Sequence, residues 1–267
     1  MKIIVFADVH YFAGDIEKAI FNTSKKLVKY ALPMLDKLTE KINNEHKADL
    51  AVNLGDIIQD TTKHDEDIEA LKFMFERLKA IKCPCYSLLG NHDLKMMDSV
   101  EEVEALLGYK TTHSLDLDGF HLVFLTTEVR PELGTERGGC YKAQYLSESD
   151  LKWLEEDLKE NTLPCLIFTH YALAEDESIQ DGCMFMKNRA DVKRIINRSK
   201  NVKAVFSGHQ HTSKILTENG IDYYIADSMI ANSGIDDEPR GTYLEIDTDG
   251  GEITVSEKRI SSKELSV

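Results

Sequence analysis

Five places in the sequence put acid, imidazole or amide side chains directly after an apolar run. Gly90-Asn91-His92-Asp93 follows the run 84–89. There Asn91 offers a neutral oxygen and His92 a nitrogen that carries a proton near neutral pH, while Asp93 is a carboxylate able to orient that imidazole. Asp8-Val9-His10 follows the run 3–7. In extended backbone, a carboxylate and an imidazole two residues apart lie on the same side and converge on one ion. Gly55-Asp56 follows 49–54, His170 follows 163–169, and Gly208-His209-Gln210-His211 follows 202–207. Each place alone is weak, because Gly and Asn are ordinary turn residues and a lone Asp-x-His is more often a polar loop. Together they are not. Five of the nine histidines stand at these ends, and the metal-competent set is Asp8, His10, Asp56, Asn91, His170, His209 and His211. That is too many for one tetrahedral zinc. It suits two ions sharing a carboxylate, roughly 3.5–4 Å apart, the arrangement used for displacement at phosphorus.

Those residues need strands to carry them. The runs 3–7, 49–54, 84–89, 163–168 and 202–206 read as buried strands. Between the early ones lie helical patterns. Leu27, Val28, Ala31, Leu35, Leu38 and Ile42 fall on one face of a helix over 24–43, with Pro33 expected to kink or divide it. A second helix covers 68–78. Ser99-x-x-Glu102 is a capping-box signal. Asp118-Gly119 predicts a hairpin between 114–118 and 120–127. Ser147 opens a helix with Leu151, Leu154 and Leu158 on its core face, and Asn188 stands where a cap would precede Val192, Ile195 and Ile196. The tail 215–260 is strand-like, with turns at Glu218-Asn219-Gly220 and Asp249-Gly250-Gly251. The alternation predicts an α/β fold with parallel pairing, one domain over 1–267, and Asp8, Asp56 and Asn91 along one edge of one sheet. His113 and His121 fall in the hairpin and are given no role.

The composition bounds the partners. Lys and Arg number 32 and Asp and Glu 47, a formal charge of −15. Long nucleic acid and anionic membrane both need a positive footprint, so neither is expected as a partner. A small phosphorylated substrate stays compatible, since bound cations reverse the local sign. Five cysteines in a chain this long do not make a disulfide framework, and a reducing compartment is expected. Cys85 and Cys165 read as small core residues. The first apolar run is too short for a signal-peptide core and no run approaches a membrane span, so a cytoplasmic location is expected.

The order D-x-H, G-D, G-N-H-D, a later H, then G-H-x-H resembles the calcineurin-like metallophosphoesterase superfamily. The resemblance rests on Asp8, His10, Gly55, Asp56, Gly90, Asn91, His92, Asp93, His170, Gly208, His209 and His211. It implies a two-sheet αββα sandwich of the metallo-dependent phosphatase type and two divalent or mixed-valence metal ions. Asp8, His10 and His211 would hold one, Asn91, His170 and His209 the other, and Asp56 would bridge them. His92 would face the substrate with Asp93 steadying it. Nitrogen and oxygen ligands without thiolate favour manganese or iron, with zinc as the alternative. The implied activity is hydrolysis of a small phosphate ester, a phosphodiester before a monoester, by metal-activated hydroxide with His92 assisting. The run 188–211 is similar to the cyclic-nucleotide phosphodiesterase branch. His170, however, is followed by Tyr171-Ala172-Leu173, where many phosphodiesterase-like relatives have a second His and then Pro. The alternatives are a cyclic-nucleotide phosphodiesterase specifically, a catalytically silent metal-binding scaffold of the same fold, and a mononuclear zinc hydrolase. Missing ligands would mark the scaffold, and none is missing. Substrate contacts are expected from the loops 11–23, 129–145, 171–187 and 228–240. Arg130, Arg137 and Arg240 are candidates for phosphate, although a surface arginine is the commoner case.

Overall fold

In the apolar runs both faces are apolar, so each strand must be covered on both sides. The computed structural model describes residues 1–14, 26–61, 63–130, 144–176, 178–179, 183–234, 237–249 and 251–265. It meets that requirement with two stacked sheets and helices outside each. One sheet has β1 (Lys2–Phe6), β2 (Leu50–Asn53), β3 (Cys85–Ser87), β10 (Thr242–Asp249) and β11 (Glu252–Arg259), in the order β11-β10-β1-β2-β3. The other has β4 (His113–Leu117), β5 (Phe120–Leu125), β6 (Cys165–Thr169), β7 (Val202–Ser207), β8 (Lys214–Glu218) and β9 (Ile221–Ile225), in the order β4-β5-β6-β7-β9-β8. The chemistry-bearing strands pair in parallel: β1 with β2, β2 with β3, and β6 with β7. Parallel pairing brings their C-terminal ends to the same side of each sheet.

The period of two sorts the core into layers. Ile3, Val5, Leu50 and Val52 of the first sheet meet Leu122, Phe124, Leu166, Phe168, Ala204 and Phe206 of the second. Along the inner face of the second sheet Phe124, Phe168, Phe206 and Tyr224 stack in a row with centroids 5.1–5.3 Å apart. The alternate residues Ile4, Phe6 and Ala51 face α1 (Ala31–Lys41) and α2 (His64–Leu78) through Met34, Leu35, Leu38, Leu71 and Met74. Val123, Leu125, Cys165, Ile167 and Val205 face α5 (Glu148–Glu160) and α6 (Arg189–Arg198) through Leu154, Leu158, Val192 and Ile196. The result is one αββα sandwich, the fold class read from the sequence.

Local signals held where they were local. Ser99 caps α4 (Val100–Leu107), and Ser147 caps α5. Asp118 and Gly119 both take positive φ (49° and 78°), as the hairpin turn demands. The pattern around Pro33 is divided, one of the two outcomes expected: a 3₁₀ turn, Val28–Tyr30, comes first, and Pro33 then lies in the first turn of α1, where its missing N–H costs no helical bond. Residues 24 and 25 of the expected helix lie outside the described residues. Asn188 precedes α6 but does not cap it. Its amide instead clamps Leu146, accepting from the Leu146 N–H at 3.0 Å and donating to the Leu146 carbonyl at 2.8 Å. Among the described residues no helix is long and apolar enough to cross a membrane.

Where β2 and β3 end, their loops touch. A Cβ on Gly55 would come within 2.6 Å of Gly90 N, and a Cβ on Gly90 within 2.2 Å of Asp56 Oδ1 and 2.7 Å of His170 Cε1. Any side chain at position 90 must therefore displace Asp56 and His170 together. Gly90→Ala is expected to leave the far-ultraviolet circular dichroism spectrum intact. Metal binding should weaken by about 10-fold or more, the scale seen when ligand positioning is disturbed. Metal content per chain after dialysis checks it.

Candidate active site

The strand ends turn sharply. Asp8, His10, Asp56, His209 and His211 all have positive φ, at 57°, 48°, 52°, 68° and 50°. Non-glycine residues seldom adopt this region, though Asp and His do so more readily than most, and each instance stores of order 1–3 kcal/mol. Backbone bonds hold the turns in place. Asp8 N–H donates to Gly55 O at 3.0 Å, His10 N–H to Asp56 O at 3.0 Å, and Gly208 N–H to His170 O at 3.0 Å. The expectation that Asp8 and His10 converge through extended backbone is thus corrected. They converge because both residues are left-handed.

The seven expected ligands come together at one end of the sandwich. His211 Nε2 lies 3.2 Å from Asp8 Oδ1, and His10 Nε2 lies 3.6 Å from that oxygen and 3.1 Å from His211 Nε2. His170 Nε2 lies 3.3 Å from Asn91 Oδ1 and 3.5 Å from Asp56 Oδ2. Asp56 Oδ2 is also 3.8 Å from His10 Nε2. Three groups bring ligand atoms within 4.8 Å of one another: Asp8, His10 and His211; Asp56, His170 and His209; and His10, Asp56 and His92. The outward nitrogens fix the tautomers, a pattern common around metal-binding imidazoles. His170 Nδ1 donates to Leu54 O at 3.0 Å, and His209 Nε2 donates to Cys183 O at 2.6 Å. His209 Nδ1 is then left buried without a hydrogen-bond partner, a lone pair that a cation would satisfy. Two buried carboxylates, four imidazoles and an amide oxygen, with no thiolate, fit a divalent metal.

The electrostatics agree with that fit. Burial works to raise the Asp8 and Asp56 pKa values, but the surrounding histidines outweigh it and hold both well below the usual carboxylate range. Burial works against charge on His170 too, yet Asp56, Asp8 and Asp93 raise it to about 9. Burial, reinforced by His170, drops His209 to about 3. Two carboxylates held ionised thus sit beside a His209 that burial keeps neutral and a His170 on which they favour a positive charge, the charge that a bound cation would take over.

His92 sits at the rim of this cluster. Its Nδ1 lies 2.5 Å from Asp60 Oδ1, and its Nε2 lies 4.0 Å from Asp56 Oδ2 and 3.0 Å from Lys26 Nζ. Asp60 in turn receives Lys95 Nζ at 2.7 Å and Gln59 Nε2 at 3.1 Å. Burial would raise Asp60, but His92 and Lys95 hold it at about 2. The steadying of His92 therefore falls to Asp60 and not to Asp93, which corrects the sequence reading. Asp93 Oδ2 accepts from the N–H groups of Gly90 (2.9 Å) and Asp56 (2.8 Å), and its Oδ1 accepts from Ile58 N–H at 3.1 Å. Its position at the third residue of a short helical turn, α3 (Asn91–Leu94), points the carboxylate back at the backbone.

Sequence reasoning missed Lys26, Gln59, Asp60 and Lys95. Gln59 and Asp60 follow Gly55-Asp56 on the same loop, which is the one available signal; nothing marks Lys26 or Lys95. Lys26 Nζ contacts Gln59 Oε1 at 2.7 Å, His92 Nε2 at 3.0 Å and His10 Nδ1 at 3.3 Å. Burial brings its ammonium down to about 8, against the pull of Asp56, Asp8 and Asp60. The arginine candidates are engaged elsewhere. Arg130 pairs with Glu128 and lies over the Tyr145 ring, and Arg240 pairs with Asp227 at 3.1 Å. Arg137, Cys140 and most of the loops 11–23 and 129–145 lie outside the described residues. His113 stacks on Phe124 and His121 bridges Asp116 and Asp157, so neither reaches the site.

The comparisons with known proteins agree with this geometry. The family model described as calcineurin-like phosphoesterase matches residues 1–213. A probable cyclic nucleotide phosphodiesterase of Xenorhabdus bovienii is 23% identical over 227 residues, covering 83% of this chain and 83% of that protein. The 3',5'-cyclic adenosine monophosphate phosphodiesterase CpdA of Escherichia coli K12 is 23% identical over 232 residues, covering 82% of this chain and 73% of its own. Among solved structures, a dimetal phosphatase from Danio rerio superposes with a TM-score of 0.74 at 17% identity, over 97% of this chain and 96% of that one. That last likeness is one of fold. With the family model spanning every motif from Asp8 to His211, the chain belongs to the calcineurin-like phosphoesterase family, which is metal-dependent, and is a hydrolase acting on phosphate esters.

Proposed function

We propose that this chain is a dinuclear-metal phosphodiesterase acting on a small phosphate ester, with diesters preferred over monoesters. The observation that carries the reading is the place of Asp56. Its Oδ2 stands between His10 (3.8 Å) and His170 (3.5 Å), which belong to two separate groups of ligand atoms. In this reading Asp8, His10 and His211 hold one cation, Asn91, His170 and His209 hold the other, and Asp56 is shared. Nitrogen and oxygen donors suit manganese, iron or zinc, and we take manganese or iron first. Two cations held by these residues would lower the pKa of a bound water and draw off charge from phosphoryl oxygens.

The protein's own groups do the rest. Asp60 fixes His92 by its Nδ1, so Nε2 is the nitrogen that faces the cluster, and when protonated it can donate to a phosphate oxygen or pass its proton to the leaving oxygen. Asp93 acts at one remove, tying the backbone of Gly90, Asp56 and Ile58 so that Asp56, Asn91 and His92 keep their places. The diester preference, and a cyclic nucleotide as the leading case of it, is supported by what the relatives are called. A charge of −15 weighs against polymeric nucleic acid. We take the domain to run from 1 to 267, because β10 pairs with β1 and β9 with β7, inside the two sheets. Free thiols at Cys83, Cys85 and Cys165 fit a reducing, cytoplasmic setting. A catalytically silent scaffold is disfavoured because every expected ligand is present at the site.

The deciding experiment is metal stoichiometry and turnover on one sample, with bis(p-nitrophenyl) phosphate set against p-nitrophenyl phosphate and with cyclic nucleotides as a panel. Two metals per chain and faster turnover of the diester are expected. One metal per chain under every loading condition would sink the dinuclear reading. His92→Ala is expected to keep both metals and lose about 10²–10⁴ in kcat; full activity removes His92 from the chemistry. Asp60→Asn should lower kcat less than that, again with metal retained. Asp56→Ala should lose metal from both positions, and an unchanged content of two per chain would contradict the shared carboxylate.

A further inference from the structure

We propose that Lys26 is a further substrate-contacting residue, whose side-chain N–H groups bind an oxygen of the phosphate under attack. The inference rests on the phosphoesterase reading above. It begins with how Lys26 is held. Its backbone bridges Ala231 in antiparallel fashion, and the Leu27 N–H donates to Ile230 O at 2.9 Å. From there the side chain crosses to the opposite loop and ends at Gln59 Oε1 (2.7 Å), His92 Nε2 (3.0 Å) and His10 Nδ1 (3.3 Å).

An ammonium has three N–H donors and here it has three acceptors, but two of those acceptors are committed elsewhere in the working enzyme. His92 is held through Nδ1 by Asp60, and its Nε2 is the atom assigned to the phosphate; to donate there it must carry a proton, and in that state it cannot accept from Lys26. His10 faces Asp8, Asp56 and His211 through Nε2. An imidazole that binds a cation through Nε2 keeps its proton on Nδ1 and cannot accept from Lys26. Only Gln59 Oε1 then remains. Two donors are left without acceptors beside His92, and an anionic phosphate oxygen supplies what they lack.

The surrounding cations sharpen the assignment. Lys95 is spent on Asp60 at 2.7 Å, Arg240 on Asp227 at 3.1 Å, and Arg130 on Glu128. Among the described residues, Lys26 has no carboxylate partner of its own; its contacts are an amide oxygen and two rings. A lysine tied to a carboxylate would be a structural ion pair. A lysine tied to a neutral amide at the mouth of a metal cluster keeps its charge available.

The test compares Lys26→Met, Lys26→Gln and Lys26→Arg with the wild-type, metal-loaded chain. Metal content, thermal midpoint, kcat and KM on bis(p-nitrophenyl) phosphate, and the Kd of inorganic phosphate by calorimetry are measured on each. With metal content and midpoint unchanged, the Met and Gln variants are expected to bind phosphate about 10- to 100-fold more weakly. Their kcat/KM should fall to a similar degree, and Lys26→Arg should recover part of both. Gln supplies a foldable polar alternative should Met unsettle the loop. Phosphate affinity within twofold of wild type in variants that hold both metals overturns the proposal. So does loss of metal in all three variants, which would make Lys26 a positioning residue for His10. A wild-type chain with neither two metals nor turnover would instead overturn the phosphoesterase site itself, whereas an active wild type matched by an equally active Lys26→Met would overturn Lys26 alone.

Discussion

The carboxylate of Asp93 is the constraint on which the site depends. It is fully buried and accepts three backbone N–H groups, from Gly90, Asp56 and Ile58. Those bonds join the loop after β2 to the loop after β3. Burial, reinforced by Asp56, pushes its pKa up to about 7, against the Gly90 and Ile58 N–H groups, which favour the charged form. Removing it would leave three buried N–H groups without a partner, at about 1–3 kcal/mol each. Asp56, Asn91 and His92 are all presented by the backbone that it ties.

A second layer of constraint comes from conformation. Five of the residues that crowd the cluster sit in left-handed backbone, and two glycines admit no side chain. Gly208 belongs with them, because a Cβ there would stand 2.8 Å from Asp8 Oδ2. The cost of these turns is carried by the sandwich beneath them. The inner layer of Ile, Val, Leu and stacked Phe side chains fixes both sheets, so the strand ends cannot relax apart. The His209 N–H donates to Asp8 Oδ2 at 2.9 Å, linking the end of β7 in one sheet to the end of β1 in the other. The site is therefore a joint between the sheets as well as a place for chemistry.

Third, the two ends of His92 belong to different environments. One nitrogen is bound to a carboxylate that Lys95 and Gln59 also hold, which makes the ring's orientation a property of the whole 56–60 loop. The other nitrogen faces Lys26 and Asp56 across the opening of the cluster. Burial and the nearby Lys26 lower the His92 pKa, while Asp56 and Asp60 oppose that shift. The ring is thereby placed to accept as well as to donate.

Much of this was determined by sequence alone. Apolar runs ending in Asp, Asn and His pointed to the strands whose ends meet at the site, and their order named the seven residues that the structure gathers there. Apolar runs and helical stripes gave the alternation of strands and helices, the family resemblance implied the two-sheet layers, and Ser99, Ser147 and Asp118-Gly119 act locally, within a few residues. What sequence did not determine depends on contacts between residues far apart. Asp93 lies next to His92 in the chain, so adjacency suggested a partnership. In three dimensions the helical turn aims it at its own backbone, and Asp60, 32 positions earlier, takes the imidazole. Lys26 has no motif, because its place beside His92 depends on tertiary contacts, a β-bridge to Ala231 and a side-chain bond to Gln59. Asp8 and His10 were legible as a pair, but the left-handed turn that makes them converge was not, since the Gly55 and Asp56 carbonyls that hold it belong to another strand's loop. Residue type and order set the chemistry available here. Tertiary structure decided which groups meet, because ligand tautomers, glycine clearances and second partners all come from elements distant in sequence.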